Sequence, residues 1–420
     1  MLIEFRVENH RSLRDEQVLT MEAGHVVEED DSRPRTIDGH NKKLLPATVI
    51  YGPNASGKSN VLAAMAFMRE AVLMSHRRWD PEGGIPCTPF AWGPKRHTPS
   101  MFEATFVVGA TKCEYGFCVN DEIVEEEWLF AWPNNRKQVW LERDAASFRF
   151  GEHLNGPNTA VKEVTRKNAL FLSAAAQHGH QQLISLYTWF RNIFPVNVLG
   201  RGFAAPLWLM SDALFSADEE QRTLFRMDET EVSLAARIRQ LLRSADTGIV
   251  DVKRIVSEGE YRGRINRRHR ILLQHQADDD GSWLELDEDS EGTKTLFRMA
   301  PSVFRAIDAG GLLIVDELES SLHPLLGLEI VKLFNCPKAN PKNAQVVFTT
   351  HDTNLLGTTV GEPPLRRDQV WFTEKDGGGA TQLYPLTDYQ PRKAENLERG
   401  YLQGRYGAIP FLGDITWRTE

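Results

Sequence analysis

Eight consecutive residues, Gly52-Pro53-Asn54-Ala55-Ser56-Gly57-Lys58-Ser59, constrain this chain more than any others. They satisfy the pattern G-x-x-x-x-G-K-[ST] at every defined position. Val49-Ile50-Tyr51 before them reads as the end of a buried strand. After Asn60, the apolar residues Val61, Leu62, Met65, Met68 and Val72 recur at helical spacing. Strand, glycine-bearing loop and helix in that order aim backbone N–H groups and a helix N-terminus at one point, which suits a phosphate. The expected ligands are therefore ATP and Mg²⁺. The loop from Gly52 to Ser59, with Asn60 beside it, would wrap the phosphates, Lys58 would reach the β- and γ-phosphates, and Ser59 would coordinate the metal. A chance match in a glycine-rich turn would not need the flanking strand and helix.

The rest of the composition sets bounds. A chain of 420 residues with 41% hydrophobic and 25% charged residues can bury a large core, in two or three subdomains of a soluble protein. No apolar run approaches the ~20 residues that cross a bilayer. Residues 1–6 alternate like a strand and lack a signal peptide's apolar stretch, so the expected compartment is the cytoplasm, with no membrane partner. Cys87, Cys113, Cys118 and Cys336 form no C-x-x-C pair, which favours scattered thiols over a zinc site. A net charge of −9 argues against a surface that coats nucleic acid throughout, and leaves room for a local basic patch.

Along the chain, residues 1–50 read as strands with a turn-rich interruption. Residues 101–108, 112–119 and 126–131 read as an antiparallel meander with turn signals at Gly109 and Asn120-Asp121. Residues 168–173 read as a short buried strand or a helix entry. The period is helical from 181 to about 244, clearest at 219–227 and 231–242. Residues 250–287 turn strand-like and then acidic. Residues 311–316 and 345–350 are short continuous apolar runs, suited to a parallel sheet covered on both faces.

Three further segments carry phosphate chemistry. The apolar run 312–315 ends in Asp316 and Glu317, which fits a Walker B strand: Asp316 holds Mg²⁺ through water, and Glu317 orients or deprotonates the attacking water. His351 follows the apolar run 345–350, where a histidine can touch the γ-phosphate; the ordinary alternative is a structural hydrogen bonder. Ser290-Glu291-Gly292-Thr293-Lys294 precedes Walker B, and a serine hydroxyl with a glycine backbone at a helix N-terminus suits a γ-phosphate. The alternative for Ser290 is a plain helix cap.

Walker A, a long insert, the Ser290–Gly292 signature, Walker B, a D-loop-like segment at 319–324 and a switch histidine stand in the order of ABC-type ATPases. Phe5-Arg6-Val7-Glu8-Asn9-His10-Arg11-Ser12-Leu13 resembles the N-terminal strand and turn of the RecF, SMC and OLD branch. The S-E-G-T form of the signature, the segment 168–177 and Tyr401-Leu402-Gln403-Gly404-Arg405-Tyr406-Gly407-Ala408-Ile409-Pro410 are similar to AAA-15-type ATPases of the RloA and OLD-like group in bacterial anti-phage systems. Asp289 departs from the pattern where a leucine is usual. The resemblance implies an α/β fold: an ABC-type P-loop NTPase head, with a mixed core sheet and an antiparallel β-meander, and an inserted, mainly helical lobe. The head would take residues 1–175 and 290–420, and the lobe 176–289. It implies Arg11 near the phosphates and a glutamine that positions water, for which Gln177 is the candidate, with Gln181 and Gln182 close by. It further implies two chains sandwiching ATP, so that Ser290 and Gly292 act on the partner's nucleotide.

The resulting expectation is a Mg²⁺-dependent ATPase of an anti-phage, toxin–antitoxin-like complex. It would be a homodimer or higher homo-oligomer, triggered by nucleic acid or a phage protein, acting on a separate effector such as a Toprim-like nuclease. No nuclease module is legible after His351. The rival is a RecF- or SMC-like DNA-repair ATPase that binds DNA directly through residues 253–270, which include the five arginines of residues 261–270; the plainer reading of those is a solvated hairpin. The stretch 401–410 either docks a partner or packs on the head. Trp189, Phe190, Phe194 and Trp208 read as core or partner surface.

Overall fold

A computed structural model describes residues 1–24, 31–198, 234–245, 248–261, 264–276, 282–357, 363–392 and 395–410. The chain divides into two compact units: Met1–Val198 with Ala306–Glu317 and Ile330–Glu420, and Leu199–Arg305 with Leu318–Glu329.

The first unit holds two sheets. Its meander comprises β1 (Leu2–Glu8), β2 (Gln17–Thr20), β4 (Ser100–Val108), β5 (Thr111–Val119), β6 (Val124–Trp132), β7 (Gln138–Asp144) and β8 (Ser147–Phe150), in the order β2-β1-β4-β5-β6-β7-β8. Every neighbouring pair is antiparallel. The alternating pattern of residues 101–131 produces this: Phe102, Ala104 and Phe106 turn inward together, as do Cys113, Tyr115 and Phe117.

The core sheet runs β16-β15-β3-β14-β13-β9, from β3 (Ala47–Tyr51), β9 (Ile193–Val196), β13 (Leu312–Val315), β14 (Gln345–Thr349), β15 (Val370–Lys375) and β16 (Thr381–Pro385). All pairs are parallel except β15–β16, so the sheet is mixed. The all-buried runs of β3, β13 and β14 explain their continuous apolar sequence. Strand β9 lay inside the stretch expected to be helical. Pro195 hides it, because proline fits only a strand that pairs on one side, and β9 is the sheet's edge.

Helix α1 (Lys58–Arg78) follows the P-loop, and the apolar positions expected from its spacing are buried. It packs against α3 (Phe171–Gln177) and α4 (Ile184–Arg191); α2 (Asn158–Val164) packs on α3. Residues 168–173 are thus a helix entry. Buried Glu127 fastens it, accepting from the Phe171 and Leu172 amides at 2.7 and 3.1 Å and from the Tyr115 hydroxyl at 2.8 Å. Trp189 stacks on Phe106 with centroids 4.0 Å apart, and Phe190 is fully buried. Both are core. Trp208 and residues 219–227 lie outside the described residues.

The second unit contains α5 (Leu234–Ser244) and a sheet of β10 (Ile249–Tyr261), β11 (Arg264–His275) and β12 (Trp283–Glu285), paired antiparallel in that order. The insert is therefore part hairpin. Helix α6 (Glu291–Ala309) contributes residues up to Arg305 to this unit, and α7 (Pro324–Asn335) contributes residues up to Glu329. The signature and D-loop segments fall here, although they had been expected with the head. All four cysteines are free. Among the described residues no helix is long and apolar enough to cross a membrane.

Candidate functional site

Strands β3, β14 and β13 lie side by side and parallel, so the P-loop, His351 and Asp316-Glu317 emerge at one rim of the sheet. In open α/β sheets that carboxyl rim is where ligands bind. The Ser59 hydroxyl donates to Asp316 Oδ1 at 3.1 Å across 257 residues of chain. Thr349 Oγ1, at the end of β14, donates to the same carboxylate oxygen at 2.7 Å and accepts the Glu317 amide at 2.8 Å. Thr349 thus fixes both Walker B acids. Glu317 is exposed and holds a left-handed backbone, φ 52°, costly for a residue with a Cβ. The network that orders its amide keeps it there.

The P-loop is held by residues of distant segments. Gly52 has φ 158°, and a Cβ there would come within 2.5 Å of Thr373 Oγ1. Gly57 has φ 108°, and a Cβ there would collide with the Thr381 side chain. Thr381 Oγ1 donates to the Ser56 carbonyl at 2.8 Å, and the Ser56 and Thr373 hydroxyls are bonded at 2.6 Å. The Thr381 and Ser12 hydroxyls meet at 2.7 Å, and Asn60 Nδ2 donates to Ser12 Oγ at 2.6 Å. Lys58 is buried, its Nζ donating to the Gly52 and Pro53 carbonyls at 2.8 and 3.1 Å. An ammonium held inside the loop's own cradle, beside a hydroxyl–carboxylate pair, is a donor set that fits a nucleotide phosphate and a hard cation bound through oxygen.

Arg11 is exposed beside Ser12 in a left-handed conformation, φ 53°, with its amide donating to the Thr88 carbonyl at 2.8 Å. Its neighbour His10 is buried against Phe67 and Phe102. Burial, with the adjacent Arg11 charge, lowers its pKa to about 3. His351 is exposed on the turn after β14. That turn is tied down by Tyr51 Oη, which donates to the Asp352 carbonyl at 2.8 Å, and by Thr353 Oγ1, which donates to Glu398 at 3.0 Å.

Glu398 belongs to α8 (Leu397–Leu402), the start of the glycine- and tyrosine-rich stretch. The stretch packs on the head: Tyr401 and Tyr406 stack on Phe372, with centroids 5.5 and 6.0 Å away. The Ala408 amide donates to Glu374.

Gln177 stands elsewhere. Its amide nitrogen faces the Tyr187 hydroxyl at 3.5 Å, and that hydroxyl donates to the Leu73 carbonyl. Leu73 is roughly 22 Å along α1 from Lys58 at a helical rise of about 1.5 Å per residue. Helix α3 is directed there because Ser173 Oγ accepts the His76 amide at 3.2 Å, near the end of α1. Gln182 bonds the 153–155 segment and Gln181 the Gly179 carbonyl. The structure does not bring these glutamines to the P-loop.

In the second unit, Ser290 caps α6: its Oγ accepts the Thr293 amide at 3.1 Å and its carbonyl accepts the Lys294 amide at 3.0 Å. Asp289 Oδ1 accepts the Ser290 amide at 2.6 Å while Oδ2 meets His275 Nε2 at 2.8 Å, which gives the departure from leucine a structural job. Gly292 faces the D-loop closely. A Cβ there would stand 2.7 Å from the Ser321 carbonyl, and Ser321 itself has φ 61°.

Sequence reasoning missed Ser12, Thr349, Thr373 and Thr381. Each contributes one hydroxyl from a distant segment. Only Ser12 and Thr349 sit inside stretches already singled out.

A family model described as "AAA domain, putative AbiEii toxin, Type IV TA system" matches residues 47–357. The Septu protein PtuA of Bacillus mycoides (strain KBAB4) is 28% identical over 142 residues. The match takes in 29% of this chain, and the chain spans only about a fifth (20%) of that relative's length. Among solved structures, an Smc head bound to the C-terminal winged-helix domain of ScpA aligns over 91% of this chain and 96% of its own, at 14% identity and a TM-score of 0.44. An Smc head with an extended coiled coil bound to the C-terminal domain of ScpA, derived from Pyrococcus furiosus, aligns over 93% and 97%, at 11% identity and a TM-score of 0.39. The family match covers well over half of the sequence, and this chain belongs to that AAA-domain family.

Proposed function

From that membership, we propose that the chain is a Mg²⁺-dependent ATPase subunit of an anti-phage defence complex, working as an ATP-joined homo-oligomer with a separate effector, of which a Toprim-like nuclease is the expected type. The observation that carries the ATPase reading is the Ser59–Asp316 contact at 3.1 Å, with Glu317 next along the rim. The toxin named in the family description and the partial likeness to a Septu protein support the defence setting.

Each residue has a defined task. P-loop amides and Lys58 bind the triphosphate, and Lys58 exchanges its bonds to the Gly52 and Pro53 carbonyls for phosphate oxygens. Ser59 and Asp316 would hold Mg²⁺, which when bound neutralises developing phosphate charge. Glu317 accepts a proton from, or orients, the attacking water. His351 lies on the turn beside it and would contact the γ-phosphate. Arg11, exposed at the edge of the loop, would add positive charge. Ser290 and Gly292 of a second copy would close the site.

Glu317→Gln tests this. Hydrolysis should fall by about 10²-fold or more, ATP should stay bound, and the chain should run at a larger mass with ATP by light scattering. A variant that neither retains ATP nor changes assembly contradicts the mechanism.

The DNA-binding alternative rests on the long β10–β11 hairpin, which carries the arginine run. Arg270 in that run is paired with Glu285 at 2.7 Å, which favours a structural role. Unchanged DNA retention after charge reversal at Arg264, Arg267 and Arg268 would dismiss the alternative.

A further inference from the structure

The phosphate half of the site is accounted for, but nothing so far holds a base. Among the exposed large apolar side chains of the described residues, Trp92 stands out, 57% exposed yet fixed on several sides. Its Nε1–H donates to the Gly378 carbonyl at 2.9 Å. Phe90 meets it edge to face at 5.2 Å. The bare Gly379, φ 77°, lies against its six-membered ring, where an added Cβ would stand 3.0 Å from the ring. An aromatic ring held this firmly while still open to solvent is prepared for a contact.

Its address matters. Gly378 and Gly379 form the turn between β15 and β16, clamped by Asp376 Oδ1, which accepts the Gly378 and Ala380 amides at 2.9 and 2.8 Å. Those two backbone bonds, with Arg14 beside them, hold the Asp376 carboxyl below the usual carboxylate range against its desolvation. Arg14 bonds the second oxygen at 2.9 Å. Strand β15 runs parallel to β3, so this turn lies on the same carboxyl rim as the P-loop. Two residues further on, Thr381 bonds the Ser56 carbonyl and lies against Gly57. Two residues span at most about 7 Å. The loop bearing Trp92 is fastened to the N-terminal turn as well: Asn9 Oδ1 accepts the Phe90 amide at 3.1 Å, and the Arg11 amide reaches Thr88.

The geometry points to Trp92 as the stacking platform for the purine ring of ATP bound at Gly52–Ser59. This inference rests on the ATP reading and extends it to a residue outside every motif. Stacking on a single face tolerates any purine, so Trp92 supplies affinity for the base rather than choice between bases.

The experiment compares ATP with inorganic tripolyphosphate, which has the phosphates and no base, on the full chain carrying Trp92→Ala or Trp92→Phe. The expected result is a loss of ATP affinity of about tenfold or more in Trp92→Ala, much of it restored in Trp92→Phe, with tripolyphosphate affinity unchanged in both. Tryptophan emission of the wild-type chain should also respond to ATP more than that of Trp92→Phe. Equal weakening of both ligands would make Trp92 a support of the P-loop and overturn the assignment, and so would an unchanged ATP affinity. If the wild-type chain binds neither ligand, the ATP reading falls and takes this inference with it.

Discussion

At the P-loop, Ser56, Gly57 and Asn60 are gripped by Ser12, Thr373 and Thr381, residues drawn from both ends of the sequence. At the signature turn, Ser290 and Gly292 meet their own helix, Asp289 with its partner His275, and the D-loop carbonyl of Ser321. The first arrangement fixes a loop from several segments of the chain. The second shapes a convex turn whose serine is exposed. A phosphate needs donors from several directions, and the P-loop supplies them from one chain, while the signature offers a single helix end. Under the proposed function, the first is the binding half and the second the closing half of a composite site.

Substitutions should separate the two halves. The largest effect is expected for Lys58→Ala, which removes a charged donor from the phosphates: ATP affinity should fall by roughly 10- to 100-fold, measured by calorimetry. Next, Gly292→Ala pushes a Cβ into the Ser321 carbonyl. It should abolish ATP-driven association in light scattering and leave the affinity of the single chain for ATP intact. Equal damage to both readouts would erase the distinction. Thr381→Ala should cost about 1 kcal/mol of stability and a few-fold in ATP affinity, because Ser56 and Ser12 lose their common partner; chemical denaturation checks the first.

A separate effect concerns pH. Burial and Arg11 hold the His10 pKa at about 3, below the ordinary value near 6.5. The unfolded chain therefore binds a proton before the folded one does. Stability is fully present above pH ~6.5 and declines by up to about 1.4 kcal/mol per unit as pH falls toward 3. A His10→Gln variant should show a flatter acid limb in denaturation. An identical limb would mean other groups set it.

The legibility of these regions in the sequence differed for physical reasons. The P-loop, Asp316 and Glu317 stand in contiguous runs whose strand ends fix their position, so their meeting at one rim could be anticipated. The braces could not, since a lone serine or threonine in a loop carries no periodic signal and acquires its role only when β15 pairs with β3. Gln177 shows the same limit from the other side. Its candidacy came from resemblance, but the direction of α3 depends on Glu127 and Ser173, which tie the helix to the meander and the far end of α1. Strand β9 was lost to Pro195, a residue that argues against strands everywhere except at an edge.

The composite site can be tested by mixing two inactive chains. Lys58→Ala binds nucleotide weakly and lacks the charge that its phosphates need, and Ser290→Arg cannot close on a partner's. In a mixed dimer, one site joins the intact P-loop of the second variant to the intact Ser290 of the first. The account predicts that an equimolar mixture hydrolyses ATP clearly faster than either variant alone. A mixture no faster than the sum of its parts would contradict it.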